Sequence, residues 1–155
     1  MYKKILLPLD GSKRAEAILP HVENMAVRYG ARVIILIVEE PAIQLELDEV
    51  INAEHYLEER ARMRKNITAY ADKIIKQLKG KDVAADFLIG RGPVAQAIVK
   101  TAARENIDLV AMASHGRSGW ARTFYGSVAA GVLQNIDRPI LMIRSRFADT
   151  GVSKF

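Results

Sequence analysis

Residues 33–38 read Val33-Ile34-Ile35-Leu36-Ile37-Val38, six apolar residues of which all but one are β-branched. A run of that length and chemistry favours a strand covered on both faces, the situation of a strand inside a parallel sheet. Upstream lies a second short apolar run, Ile5–Leu9, which reads as another buried strand. Between the two, Ser12 is placed to cap a helix whose apolar residues Ala15, Ile18, Leu19, Val22, Ala26 and Tyr29 recur at helical spacing, and Gly30 ends it. Pro20 falls inside that helix and predicts a bend, because its ring removes a backbone donor. Strand, helix, strand is the unit from which a parallel sheet is built.

The same alternation continues downstream. Glu39 to about Asn52 reads as a loop longer than the usual connection. A long helix is predicted over about 53–79, with Ile67, Tyr70, Ala71, Ile74 and Leu78 as its apolar stripe and Gly80 as its stop. Val83, Ala85, Phe87 and Ile89 alternate with less apolar residues, as on an edge strand with one wetter face. Pro93 suits the first turn of a helix to about 105 that turns Val94, Ile98 and Ala102 inward. Leu109–Ala113 is a further strand, Ser127 to about Asn135 a further helix, and Pro139 opens a last strand, Ile140–Ile143. Five strands and four helices in alternation specify an α/β fold, a single doubly wound five-stranded parallel sheet with helices on both faces and right-handed crossovers. With no linker, repeat or low-complexity tract, the chain reads as one domain over 1–145 followed by a basic, disordered tail, 146–155.

Composition narrows the functional classes. The 155 residues are 50% hydrophobic and 26% charged, with a net charge of +5, which suits a globular domain with a real core and excludes a disordered or collagen-like chain. Apolar runs of about six residues fall far short of the 18 or more that a membrane helix needs, and no signal-peptide core follows the basic start, so no membrane partner is expected. The absence of cysteine excludes disulfides, thiol catalysis and thiolate metal sites, and fits a reducing, cytoplasmic setting. The positive charge is dispersed among acids and apolar residues, and only 6% of residues are aromatic, so no nucleic-acid footprint is read.

In a doubly wound sheet ligands sit beyond the carboxyl ends of the strands, where strand order reverses. The segments that follow strands are Pro8–Ser12, Val38-Glu39-Glu40, Gly90-Arg91-Gly92 and Ala113–Gly119. The last is the most informative. Its small residues let backbone amides approach a ligand, Arg117 adds fixed positive charge, and ten residues after Gly116 the pair Gly126-Ser127 opens a helix whose free amides favour an anion. By spacing alone this is either a polyphosphate cradle or a flexible loop followed by an ordinary serine cap. Asp10, a carboxylate at the end of a buried strand, is either a ligand-facing acid or a turn-former ahead of Gly11.

Met112-Ala113-Ser114-His115-Gly116-Arg117-Ser118-Gly119, then Gly126-Ser127-Val128, then Arg138–Ile143, resembles the C-terminal signature of the universal stress protein family, and Lys4–Ser12 resembles its opening strand and loop. The resemblance covers nearly the whole chain. It implies an adenine nucleotide alpha hydrolase-like fold of strand order 3-2-1-4-5 and a homodimer paired through the last strand, about 139–144. Part of that family binds ATP and carries Gly-x2-Gly-x9-Gly-(Ser/Thr); here the register is Ala113-x2-Gly116-x9-Gly126-Ser127, with alanine in place of the first glycine. A negative φ at 113 would accommodate the added methyl, whereas a positive φ would strain it. The resemblance implies an adenine nucleotide, ATP or AMP, with Pro8 and Val38 against the adenine. Asp10 would face the ribose hydroxyls or a nucleotide-bound Mg2+. Met112 and Ala113 would line the ribose, and Gly116, Arg117, Gly126, Ser127 and Val128 the phosphates. His115 is assigned to holding the loop, with donation to a phosphate as the other reading. Two further functional readings stand beside this dimeric nucleotide switch with at most slow ATP hydrolysis: an interaction module for unidentified protein partners that binds no nucleotide, and an enzyme of the wider adenine-nucleotide hydrolase superfamily.

Other motifs carry less. His21 and His55 read as helix-surface residues, and no histidine pair has metal-ligand spacing. There is no P-loop and no nucleophile elbow. Gly90-Arg91-Gly92 reads as a tight strand-to-helix turn, with a phosphate role as the other reading, and Trp120 and Tyr125 as residues able to fold over a ligand or to pack on a neighbouring chain. No residue stands out to orient an attacking water, so no catalytic residue is assigned.

Overall fold

Strands β1 (Lys4–Pro8), β2 (Arg32–Glu39), β3 (Ala85–Arg91), β4 (Leu109–His115) and β5 (Ile140–Ser145) form one parallel sheet in the order β3-β2-β1-β4-β5. This computed structural model describes residues 1–39, 53–115 and 126–145, and of 53–56 and 115 the backbone alone. The crossovers are α1 (Lys13–Glu16) with α2 (Leu19–Tyr29), then α3 (Ala53–Lys79), α4 (Val94–Arg104) and α5 (Ser127–Asn135).

The pleat sends alternate residues to opposite faces, so each inner strand feeds two cores. Ile5, Leu7, Val33, Ile35 and Ile37 pack with α2 and α3 on one face, where Ile67, Ala71, Ile74 and Leu78 form the buried stripe of α3. Leu6, Ile34 and Leu36 pack with Ile98 and Ala102 of α4 and Ala129 and Val132 of α5 on the other. Both faces of β1 and β2 are therefore dry, which is why those segments hold unbroken apolar runs.

Several local expectations are corrected. The helix predicted from Ser12 to Gly30 is two helices, making five in all among the described residues. Ser12 does cap the first, its Oγ accepting from the Ala15 N–H at 3.1 Å. Pro20 bends nothing; it sits in the first turn of α2, where its missing donor costs little. Ahead of it the chain tightens to i→i−3 bonds, Ala17 N–H to Arg14 C=O and Ile18 N–H to Ala15 C=O, both 3.4 Å. Tyr29 lies at the helix boundary, 36% exposed and edge-on to Tyr2, with ring centroids 5.3 Å apart. β3 is an edge strand as expected, yet it runs through Gly90 and Arg91, so the turn narrows to Gly92, at φ +95°, and Pro93. β4 and β5 outlast their predicted ends: Ser114 pairs with Arg144 and His115 with Ser145, and Ser114 and Ser145 are buried. His21 is exposed on α2, as expected.

At the amino-terminal end of the sheet, Asp108 ties the neighbouring central strands together. Its Oδ2 accepts from the Lys3 and Lys4 N–H groups at 2.8 and 2.9 Å, while its own N–H donates to the Lys4 carbonyl at 3.0 Å. Those two backbone donors, Lys3 before Lys4, hold its carboxyl below the usual carboxylate range.

Candidate functional site

The ladder between β1 and β4 consists of two residue pairs, Ile5–Leu109 and Leu6–Val110. Both strands continue beyond it without pairing to each other, β1 to Pro8 along β2 and β4 to His115 along β5. They therefore part at their carboxyl ends, at the point where strand order reverses, and a cleft of about 430 Å3 opens there. Pro8 and Asp10 line it from the β1 side, Leu36, Val38 and Glu39 from β2, and Met112 and Ala113 from β4. Met63 and Ile67 of α3 wall one side, and Gly126, Ser127 and Val128 at the start of α5 close another.

Asp10 is a turn-former, and it also stands at the cleft. Its Oδ1 accepts from the Ser12 N–H at 3.0 Å and the Ser12 hydroxyl at 2.6 Å, closing a turn around Gly11 that leads directly into the Ser12 cap. Neither bond uses Oδ2, and Asp10 also borders the cleft. Behind it, the Tyr70 phenol of α3 is pushed far above its ordinary pKa, first by burial and then by the charge of Glu16. Tyr70 thus stays neutral, and Lys13 Nζ reaches the same Glu16 at 2.8 Å.

Ala113 is extended, opposite Ile143 in the β4–β5 ladder, and 8% exposed. Among the described residues the positive-φ positions other than glycine are Asp82 and Asn106, so alanine at 113 carries no backbone strain. The start of α5 departs from an ordinary serine cap. Gly126, with no side chain, occupies the N-cap position, no side-chain cap bond is made, and Ser127 is the first helical residue. The first intrahelical bond is Ala130 N–H to Gly126 C=O at 2.9 Å, so the N–H groups of 127–129 lie outside the helix ladder, at the positive end of its dipole and beside the cleft.

Gly90 is accounted for by packing. A Cβ there would stand 3.2 Å from Leu36 Cδ1 and 3.3 Å from Val38 Cγ2, under the floor of the cleft, so the residue serves close approach inside the sheet layer. Eight of the eleven residues assigned from sequence line the cleft together: Pro8, Asp10, Val38, Met112, Ala113, Gly126, Ser127 and Val128. Gly116, Arg117 and the side chain of His115 lie outside the described residues, as do Trp120, Tyr125, the side chain of His55 and the tail 146–155. Sequence reasoning gave no role to Glu39 or Met63. Glu39 stood in a segment marked for inspection, directly after Val38; Met63, four residues before Ile67, extends the apolar stripe of α3 by one turn, a signal that places it on the sheet-facing side of the helix. Among the described residues there is no cluster of three or more His, Asp or Glu able to hold a metal ion, and no helix long and apolar enough to cross a membrane.

The strand order, the helices on both faces and the cleft at the reversal point define an α/β protein of the adenine nucleotide alpha hydrolase-like class. The model of the universal stress protein family matches residues 1–144, and the chain belongs to that family. It is 31% identical over 157 residues to universal stress protein MJ0577 of Methanocaldococcus jannaschii, covering 94% of this chain and 97% of that one. The solved structure of MJ0577 superposes with a TM-score of 0.77 at 28% identity, over 96% and 99% of the two chains. The same fold recurs in a universal stress protein in complex with cAMP, with TM-score 0.68, 19% identity and coverage of 93% and 98%. It recurs again in the Archaeoglobus fulgidus universal stress protein in complex with dAMP, with TM-score 0.61, 16% identity and coverage of 92% and 98%.

Proposed function

We propose that this chain binds an adenine nucleotide, ATP or AMP, in the cleft between β1 and β4 and acts in the cytoplasm as a dimeric stress-response switch, with at most slow ATP hydrolysis. The observation that carries the reading is the meeting of an open cleft with the uncapped amino end of α5, where Gly126, Ser127 and Val128 offer backbone donors to an anion. Support comes also from the unstrained Ala113, whose methyl lines the cleft without displacing the backbone, and from the cAMP and dAMP complexes of proteins with this fold. The apolar surfaces of Pro8, Val38 and Met112 suit a flat base. Asp10 suits the ribose hydroxyls or a Mg2+ ion carried in with the phosphates, and Ser127 a phosphate oxygen. Gly116 and Arg117 are assigned to the phosphates and His115 to the loop that bears them. The sequence offers no residue that stands out to orient an attacking water, and occupancy rather than turnover is the proposed signal.

Thermal shift with AMP, ADP and ATP tests the reading. Ligand at 100 times its dissociation constant stabilises by about 2.7 kcal/mol. Gly126→Val, which puts a branched side chain at the helix start, should abolish the shift and leave the fold intact. A shift that survives Gly126→Val refutes the placement of the phosphates, and no shift at millimolar nucleotide favours the interaction module. Phosphate release followed over hours, with Asp10→Ala as control, separates a switch from an enzyme.

The dimer is proposed through β5. That strand ends the sheet order, pairs with β4 on one side, and is apolar on both faces, Ile140 to Ile143 being only half-buried. Light scattering should give a dimeric mass for the natural chain and a monomeric one for Met142→Lys; a monomeric natural chain removes the proposal.

A further inference from the structure

Glu39 is the last residue of β2, opposite Arg91 of β3, and its carboxylate meets three guanidinium groups. Arg64 Nε of α3 donates to Oε1 at 3.2 Å; Arg60 of α3 and Arg91 of β3 lie 3.7 Å from Oε2. The Glu39 side chain is 9% exposed, whereas those of the three arginines are 43–67% exposed. One shielded carboxylate therefore sits at the focus of a more solvated ring of positive charge.

The helix that supplies two of these arginines is uneven. Its buried stripe begins at Ile67, and over 57–66 every side chain except the half-buried Arg60 is exposed. That stretch is about 15 Å of helix beyond the buried stripe, and among the described residues Met63, 36% exposed, is the one large apolar side chain it lays against the cleft. Within it, on the turn between Arg60 and Arg64, lies Met63, which walls the cleft that Glu39 also borders.

From this geometry we infer that Glu39 is a positioning residue, which fixes the overhanging first half of α3 against the sheet and so sets where the Met63 wall of the cleft stands. Removing its charge while keeping its shape leaves three guanidinium groups facing one another and releases that half of the helix. The inference rests on the proposed nucleotide site only for its effect on binding; the effect on the helix is independent of any ligand.

The test is Glu39→Gln in the full chain. Amide hydrogen exchange without ligand should quicken about three- to tenfold over 57–66, the yield of a few partly solvated ion pairs, and stay unchanged over 70–79. In 1 M NaCl, where charges are screened beyond about 3 Å, the natural protein should approach the variant and the variant should change little. AMP should bind the variant more weakly, by about the same factor as the exchange at 57–66 rises. Unchanged exchange over 57–66, an equal rise over 70–79, or a salt response undiminished in the variant would overturn the inference. So would local release of the helix with undiminished AMP affinity in a protein that binds AMP. If the natural protein binds no AMP, the nucleotide reading fails by itself, and the exchange and salt measurements still decide whether Glu39 holds the helix.

Discussion

Replacing Ala113 by glycine restores the residue that ATP-binding relatives are expected to carry, and the structure predicts that this will harm the protein without helping the ligand. Ala113 is extended, paired with Ile143, and its methyl lies in the wall of the cleft. Removing that methyl forfeits the burial of one carbon, about 0.8 kcal/mol. Glycine inside a strand adds about 0.5–1 kcal/mol of backbone entropy lost on folding. The variant should therefore be about 1.5 kcal/mol less stable, and in a chain of this size that lowers Tm by about 3–6 °C. Affinity for AMP and ATP, measured by calorimetry, should stay within about threefold, because the backbone at 113 has nothing to gain from a glycine. Ala113→Leu, which extends the side chain into the cleft, should weaken binding at least about tenfold. A tenfold gain in affinity for Ala113→Gly would mean that the methyl stands in the path of the ligand, and the reasoning from backbone conformation would fail. Undiminished affinity for Ala113→Leu would mean that the nucleotide lies elsewhere.

Two further substitutions probe the scaffold. A Cβ at Gly131 of α5 would come within 2.8 Å of Ala95 Cβ of α4, so Gly131→Ala must push the helices apart. Overpacking of about 1–3 kcal/mol should outweigh a helix-propensity gain of about 1 kcal/mol, and urea unfolding should show net destabilisation that couples favourably with Ala95→Gly; a more stable Gly131→Ala would contradict the close approach. Asp108→Ala removes the acceptor shared by the Lys3 and Lys4 amides and should cost about 1 kcal/mol at pH 7, the bonds being partly solvated. Because the folded carboxyl is held below its unfolded value near 4, its contribution is present above that pH and fades as the pH falls through the depressed folded value. The stability difference between the two proteins should therefore shrink as the pH falls below the unfolded value, and a difference that does not shrink in acid would refute the linkage.

What could be read from the chain and what could not divide along a physical line. Val33–Val38 announced itself because a strand dry on both faces has no polar residue to interrupt it, and the order of elements followed from such runs. The break at Ala17-Ile18 was invisible because i→i−3 bonding leaves the spacing of Ala15, Ile18, Leu19 and Val22 compatible with one continuous helix. Ser114 and His115 read as loop because they are polar; only their register with Arg144 and Ser145 makes them strand, and that partner lies about thirty residues away. In the cleft, Asp10 and Gly126-Ser127 were legible from their places after a strand and at a helix start, whereas Pro8, Val38, Met112 and Val128 were assigned by the family resemblance. Glu39 ends a strand and Met63 continues the stripe of α3, but that the two meet at the cleft depends on how α3 lies across the sheet, which no local pattern encodes.

With two residue pairs joining β1 to β4, the sheet is mechanically two panels, β3-β2-β1 and β4-β5, fastened at one edge of their shared seam by Asp108. Ala113 stands three residues, about 10 Å, past the last rung, so a swivel of about 6° between the panels changes the gap there by about 1 Å. Such a swivel would break no hydrogen bond of the β1–β4 ladder, and it is the packing of α4 on α5 and of α1 on β4, rather than the ladder, that would resist it.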